Sequence, residues 1–230
     1  MKKFFLFALA MAATATASAQ YYPDGRPIPP RHRAEYYGGG YRDRGYRSGD
    51  TYYGFHVGMA IASVHSDAAI LDGSDPKVGL DVGFDIGTRI APSAPLYFET
   101  GLAYTEKGGK GHYNGAKFTY NLDYLELPLT LKYKYFASPD FSIEPFLGGY
   151  LALGVGGKIK DFGEREAYSS FGSDNASFRR FDGGLRLGCG LSYNILHFSI
   201  SYDIGLANVG HYDFEDTRTG SLNLNVGVRF

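Results

Sequence analysis

From Tyr52 to Phe230 the chain alternates large apolar side chains with small or charged ones, in eight separate stretches. A period of two marks a β-strand with two unlike faces, because successive side chains on extended backbone point to opposite sides. In the first stretch Phe55, Val57, Met59 and Ile61 alternate with Gly54, His56, Gly58 and Ala60. In the second, Val78, Leu80, Val82, Phe84 and Ile86 alternate with Gly79, Asp81, Gly83 and Asp85. The remaining six start near Leu96, Leu125, Ile143, Phe181, Leu196 and Leu222 and repeat the scheme. Each is long enough to cross a bilayer as a tilted strand of about 9–11 residues. No stretch carries a helical period. The fold class expected is all-β: an eight-stranded antiparallel up-and-down transmembrane β-barrel over residues 51–230.

Alternation alone does not say which face points outward, since a soluble lipocalin-like barrel turns its apolar face inward. Side-chain size decides. One face is Leu, Ile, Val, Phe and Tyr; the other is mostly Gly, Ala and Ser with a few charges. The interior of an eight-stranded barrel has room only for its own side chains. The bulky set would overfill it, so that set is assigned to lipid. Phe98, Tyr104, Tyr133, Tyr135, Phe141, Phe181, Tyr193 and Phe230 lie near strand ends on that face, as interfacial girdles do, although Trp is absent.

The connections alternate in length. Val64–Lys77, Lys107–Thr119, Lys158–Arg179 and Asn208–Gly220 are read as long polar outer loops. The links at residues 91–95 and 137–140 and around Asn194 are short, as periplasmic turns are. An even strand number then puts both termini in the periplasm.

The inward face carries Asp81, Asp85, Glu99, Glu126, Glu144, Asp182 and Asp203 against Arg89, Lys132, Lys134, Arg186 and Arg229. Buried charges must be paired and hydrogen-bonded. Hairpin register suggests Arg89 beside Glu99, and Lys132 or Lys134 beside Glu144. The lumen is expected to be plugged by this network. Structural packing is weighed above a proton or ion relay.

Residues 1–19 have the form of a secretory leader: Lys2 and Lys3, an apolar run from Phe4 to Ala13, and Ala17-Ser18-Ala19 as the cleavage motif. The apolar run is too short to span a bilayer. Residues 20–50, with Pro27 to Pro30, Gly38 to Gly40 and scattered Arg, show no period and read as a flexible periplasmic segment. A net charge of −1 gives no reason to expect a nucleic-acid partner. The single Cys189 forms no internal disulfide and reads as a small apolar residue.

The run Leu122-Asp123-Tyr124-Leu125-Glu126-Leu127-Pro128-Leu129, and Gly101 to Gly108 before it, resemble the outer-membrane β-barrel (PorT-like, "porin family") proteins of Bacteroidota. Size and topology are also similar to the small barrels of the OmpA-transmembrane and OmpX type. The resemblance covers roughly residues 51–230. It implies a Gram-negative outer membrane, with lipid and lipopolysaccharide around the wall. It also implies that the last strand, ending in Phe230, is read by the barrel-insertion machinery as a transient partner.

Catalytic and metal chemistry has little support in the sequence. His65 with Ser66 and Asp67, and His211 with Asp213, lack a nucleophile-elbow sequence. Asp72, Asp75, Glu164, Glu166, Asp174, Asp213, Glu215 and Asp216 enrich the outer loops in carboxylates without metal-ligand spacing. Gly108-Gly109-Lys110-Gly111 is read as a loop, and Lys107, Lys110 and Lys117 could meet lipid phosphates. No cofactor is expected. The leading function is a structural or interaction barrel whose outer loops contact an unknown protein or ligand. The alternatives are a narrow channel for ions or small solutes and, below it, a lipid-modifying enzyme.

Overall fold

The computed structural model describes residues 51–66, 70–71, 74–91, 94–163, 165–214 and 216–230. Ala94 apart, the described residues form one compact unit. The expected leader 1–19 and segment 20–50 lie outside the described residues.

Eight long strands follow one another: β1 (Thr51–Ser66), β2 (Asp75–Arg89), β3 (Leu96–Tyr113), β4 (Ala116–Tyr133), β5 (Phe141–Gly156), β6 (Phe181–Tyr193), β7 (Leu196–Gly205) and β8 (Thr217–Arg229). Each pairs antiparallel with the next, and β8 returns to β1 from Gly54↔Arg229 to Ser66↔Thr217. The sheet is therefore a closed cylinder without free edges, the arrangement that satisfies every ladder group inside lipid.

The alternation read from the sequence maps onto the two faces of this wall. Outward rungs such as Val226–Val57–Val82 and Leu127–Leu151 are apolar right across neighbouring strands. Leu147 is 65% exposed and Phe181 56%, with similar values all round the cylinder. A continuous belt of this kind far exceeds the few hundred Å² of apolar patch that a water-soluble surface tolerates. At the turn end Tyr53, Tyr135, Phe136, Tyr193 and Phe230 project outward.

Two expectations need correction. The second outer loop, read as Lys107–Thr119, is not a loop. β3 and β4 continue as a hairpin to Tyr113↔Ala116, closed by Asn114 and Gly115 at positive φ. Two successive left-handed residues give the turn whose twist matches the strands it joins. Gly115 sits at φ +80, and a Cβ there would meet nothing within 4 Å. Gly115→Ala is therefore expected to cost only the backbone penalty, about 1 kcal/mol, read as a lower urea midpoint with unchanged slope.

The third and fourth loops are also partly ordered as strand. Residues 158–160 pair with β4, 168–169 pair with 158–160, and 176–178 pair with 210–212.

The second correction concerns the bore. Its turn-end half is lined by charges and glycines, but its loop-end half holds a hydrophobic core. Phe118, Tyr120 and Leu122 on β4 meet Phe171, Phe178 and Phe214 from the loops. Phe214 contacts Phe118, Phe162 and Phe178 with centroids 6.1, 5.7 and 5.0 Å apart. Inward glycines leave the space for large neighbours. A Cβ on Gly83, for instance, would lie 2.6 Å from the His56 ring.

Candidate functional site

The bore is the place where the sequence spends its charged residues, and it fills in layers. Near the turn end, Glu99 and Glu144 face three cations. Lys132 Nζ lies 2.6 Å from Glu99 and 3.8 Å from Glu144. Arg229 spans the same two carboxylates, at 2.9 Å from Glu99 and 2.5 Å from Glu144. Lys134 is 3.9 Å from Glu144, and its ammonium lies over the rings of Tyr52 and Tyr97 at 3.8 and 4.6 Å. The Tyr52 hydroxyl donates to Glu99 Oε2 at 2.5 Å, and Ser142 and Ser192 each donate to Glu144 at 2.9 Å. His197 shares a 2.9 Å bond with Ser192.

Further along the strands, His56 Nδ1 is 2.9 Å from Asp85. Asp81 accepts from Thr105 at 2.9 Å and from Asn225 at 2.8 Å. Beyond them lies the tightest cluster. Arg186 holds Asp203 by two parallel bonds, at 2.6 and 2.7 Å, and also bonds to Glu126. Such a fork is the geometry a guanidinium suits better than an ammonium. Asn223 donates a further bond to Asp203 at 2.9 Å. Lys107 bridges Glu126 at 3.2 Å and Asp182 at 3.4 Å, and its ammonium lies 4.2 Å from the Tyr150 ring centroid. Asp182 also accepts from Thr219 at 2.7 Å and from its neighbour Gly183 N. Glu126, Asp182 and Asp203 are fully buried, so each depends on these partners.

Eleven of the twelve lumen residues named from the sequence take part in these layers. The expected Arg89–Glu99 pair does not form. Register sets Arg89 opposite Tyr97 and Glu99 opposite Gly87. Glu99 takes Lys132 and Arg229 instead, while Arg89 donates from Nε to Ala91 O at 3.1 Å.

The sequence suggests Lys107 as a loop cation that could meet lipid phosphates. It is 1% exposed and inside the bore. The signal that could have found it is the alternation itself, which runs on through Ala103, Thr105, Lys107 and Gly109 to Gly111. Reasoning from sequence also missed the inward rings of Tyr52, Tyr97, Tyr124 and Tyr150.

The other candidates do not assemble a reactive site among the described residues. His65 is exposed on the outer face opposite Arg218, and Ser66 accepts from Thr217. His211 packs against Tyr212, and its Nδ1 lies 3.4 Å from Asp174 O. Asp67, Asp72, Glu164 and Glu215 lie outside the described residues. Asp75 pairs with Lys117 at 2.8 Å, which holds its carboxyl below the usual range, and Asp174 pairs with Arg165 at 2.7 Å. Glu166, Asp213 and Asp216 are exposed. Cys189 is on the outer face, half-buried between Pro145 and Ile200.

A closed cylinder with an apolar outside and an ion-paired inside is a membrane barrel of the outer-membrane type. The chain belongs to the outer membrane protein beta-barrel domain family, whose pattern matches residues 44–210. It is an outer-membrane β-barrel protein.

Among solved structures it is similar to Ail, the attachment invasion locus protein of Yersinia pestis, with 15% identity and a TM-score of 0.43 over 79% of this chain and 100% of that one. It is similar to Neisserial surface protein A, with 20% identity and a TM-score of 0.45 over 79% and 98%. OprG from Pseudomonas aeruginosa shares 13% identity with a TM-score of 0.45 over 81% and 98%. A comparison with curated proteins finds no match.

Proposed function

We propose that this protein is a non-conducting structural and interaction barrel, with its turns in the periplasm and its long loops outside the cell. The observation that carries the reading is a bore filled at two successive levels. The Arg186–Glu126–Asp203 cluster spans it from three strands, and the Phe118–Phe178–Phe214 core covers it at the loop end. A channel would need both to move aside. The work of the molecule then falls to its outer loops, which would contact a protein or ligand, and to its wall, which contacts lipid and lipopolysaccharide.

The orientation rests on the short-turn, long-loop asymmetry. It places residues 20–50, after removal of the leader, in the periplasm. The apolar last strand with its exposed terminal Phe230 is the segment the insertion machinery would read. The PorT-like, Bacteroidota affinity belongs to the same proposal and rests on the Leu122–Leu129 and Gly101–Gly108 runs. A catalytic role has no assembled residues to support it among those described.

Single-channel recording in planar bilayers tests the reading. Purified, folded protein is expected to give no steady conductance. A stable, voltage-independent open level, abolished by boiling the sample, would overturn the filled-bore reading in favour of a narrow channel.

A further inference from the structure

On the outside of β3 and β4 the apolar belt ends at the rung Tyr104↔Leu125. The wall continues above it. The hairpin runs on to Tyr113↔Ala116, and residues 158–160 add a third strand through Thr119↔Lys160 and Tyr120↔Ile159. Ile159 is fully buried, so Lys158 and Lys160 on either side of it leave on the opposite, outer face, where both are exposed. Lys110, the other partner of Thr119, is exposed on that face too.

Lys110, Thr119 and Lys160 thus form one row across three strands, with Lys158 one rung below. At about 4.8 Å per strand spacing the two lysines of the row stand about 10 Å apart. None of the three lysines has an ion-pair partner among the described residues, whereas Lys117 nearby is neutralised by Asp75. Grouped like charges on one sheet face weaken the fold slightly and strengthen nothing within it. Lys110 faces Asp75 across β2 and β3, but that one carboxylate is bonded to Lys117, so the face keeps a surplus of positive charge for an anion outside the chain to balance.

Height and direction say what that complement is. Thr119 lies six residues beyond Leu125, about 20 Å along the strand and about 15 Å along the membrane normal for a tilt near 40°. That level is above the acyl chains, among headgroups and the first sugars. The row looks sideways from the wall, toward neighbouring molecules of the leaflet. Between it and the apolar belt stands the carboxylate pair Glu106↔Asp123, which repels phosphate from the lower rungs and leaves the lysine level as the place for it.

We propose that Lys110, Lys158 and Lys160 bind the phosphates and carboxylates of lipopolysaccharide standing beside the barrel. This rests on the outward orientation of the loops given above.

The full chain, folded into phosphatidylcholine nanodiscs with increasing lipopolysaccharide, supplies the test. The readout is the temperature at which the folded gel band is lost. Wild type is expected to rise with lipopolysaccharide, and less so at high salt. The triple variant Lys110→Ser, Lys158→Ser, Lys160→Ser should melt like wild type in phosphatidylcholine alone. It should need about tenfold more lipopolysaccharide for half the rise, the sum expected of three exposed charge contacts. Equal dose curves for the two proteins overturn the proposal. A sulfated oligosaccharide added to phosphatidylcholine discs that gives the larger, lysine-dependent rise overturns the leaflet source in favour of a soluble polyanion. A chain that never yields a folded band in discs overturns the membrane-barrel reading as well, which separates the two failures.

Discussion

Replacing Arg186 with Met is expected to destabilise the barrel by about 3–5 kcal/mol, the range found when one partner of a buried ion pair is removed. Arg186 joins β6 to Asp203 on β7 and to Glu126 on β4. Without it, Asp203 keeps only Asn223 among these partners, and Glu126 shares Lys107 with Asp182. Two carboxylates would then stand in the bore with no guanidinium, too deep for water to screen them fully. The loss should show as a lower urea midpoint for the cold-gel folded band.

A second protein, Arg186→Met with Glu126→Gln and Asp203→Asn, removes the three charges of this cluster together at similar volume and leaves Lys107 paired with Asp182. It should recover most of the lost stability, because replacing a whole buried ion cluster is often neutral. Wild-type behaviour of the single variant would mean that the cluster carries no structural weight.

Phe214→Ala is expected to cost a similar amount, about 3–5 kcal/mol, but to express it locally. Phe214 is fully buried between Phe118, Phe162 and Phe178, and its removal opens a cavity in a core built largely from loop residues. The ion layers nearer the turns do not involve it. Limited proteolysis should therefore cut the variant between residues 161 and 178 while the strands stay protected and still shift on boiling. Phe214→Leu, which keeps most of the volume, should be cut more slowly. Simultaneous loss of both signals in Phe214→Ala would show that loops and wall unfold as one unit.

What could be read in advance follows from which physics is local. Leu125, Leu127, Leu129 and Leu131 announce a strand and its lipid face, because alternation and size act residue by residue. The approach of Lys132 and Lys134 to Glu144 crosses one short turn and was within reach of register counting. The pairing of Arg229 with Glu99 was not, because it requires the cylinder to close and places residues 130 apart in sequence side by side. Lys107 was misplaced for a different reason. Gly108 to Gly111 look like a loop by composition, yet the inward Gly109 and Gly111 only make room for the rings of Tyr120 and Phe118. The size rule that assigned bulky groups to lipid held over the belt. It failed above it, where loop residues need a core of their own.

Arg229 lies at the far end of the last strand to be made, yet it supplies a counter-charge to carboxylates on β3 and β5. A chain still lacking that strand has Lys132 and Lys134 against Glu99 and Glu144 but no guanidinium bridging the two carboxylates, and it has two open sheet edges. The final seam and the Arg229 bridge between Glu99 and Glu144 therefore arrive in one step. An assembly intermediate halted just short of it would hold two rows of unpaired ladder groups that lipid rejects, kept until then by whatever shelters them.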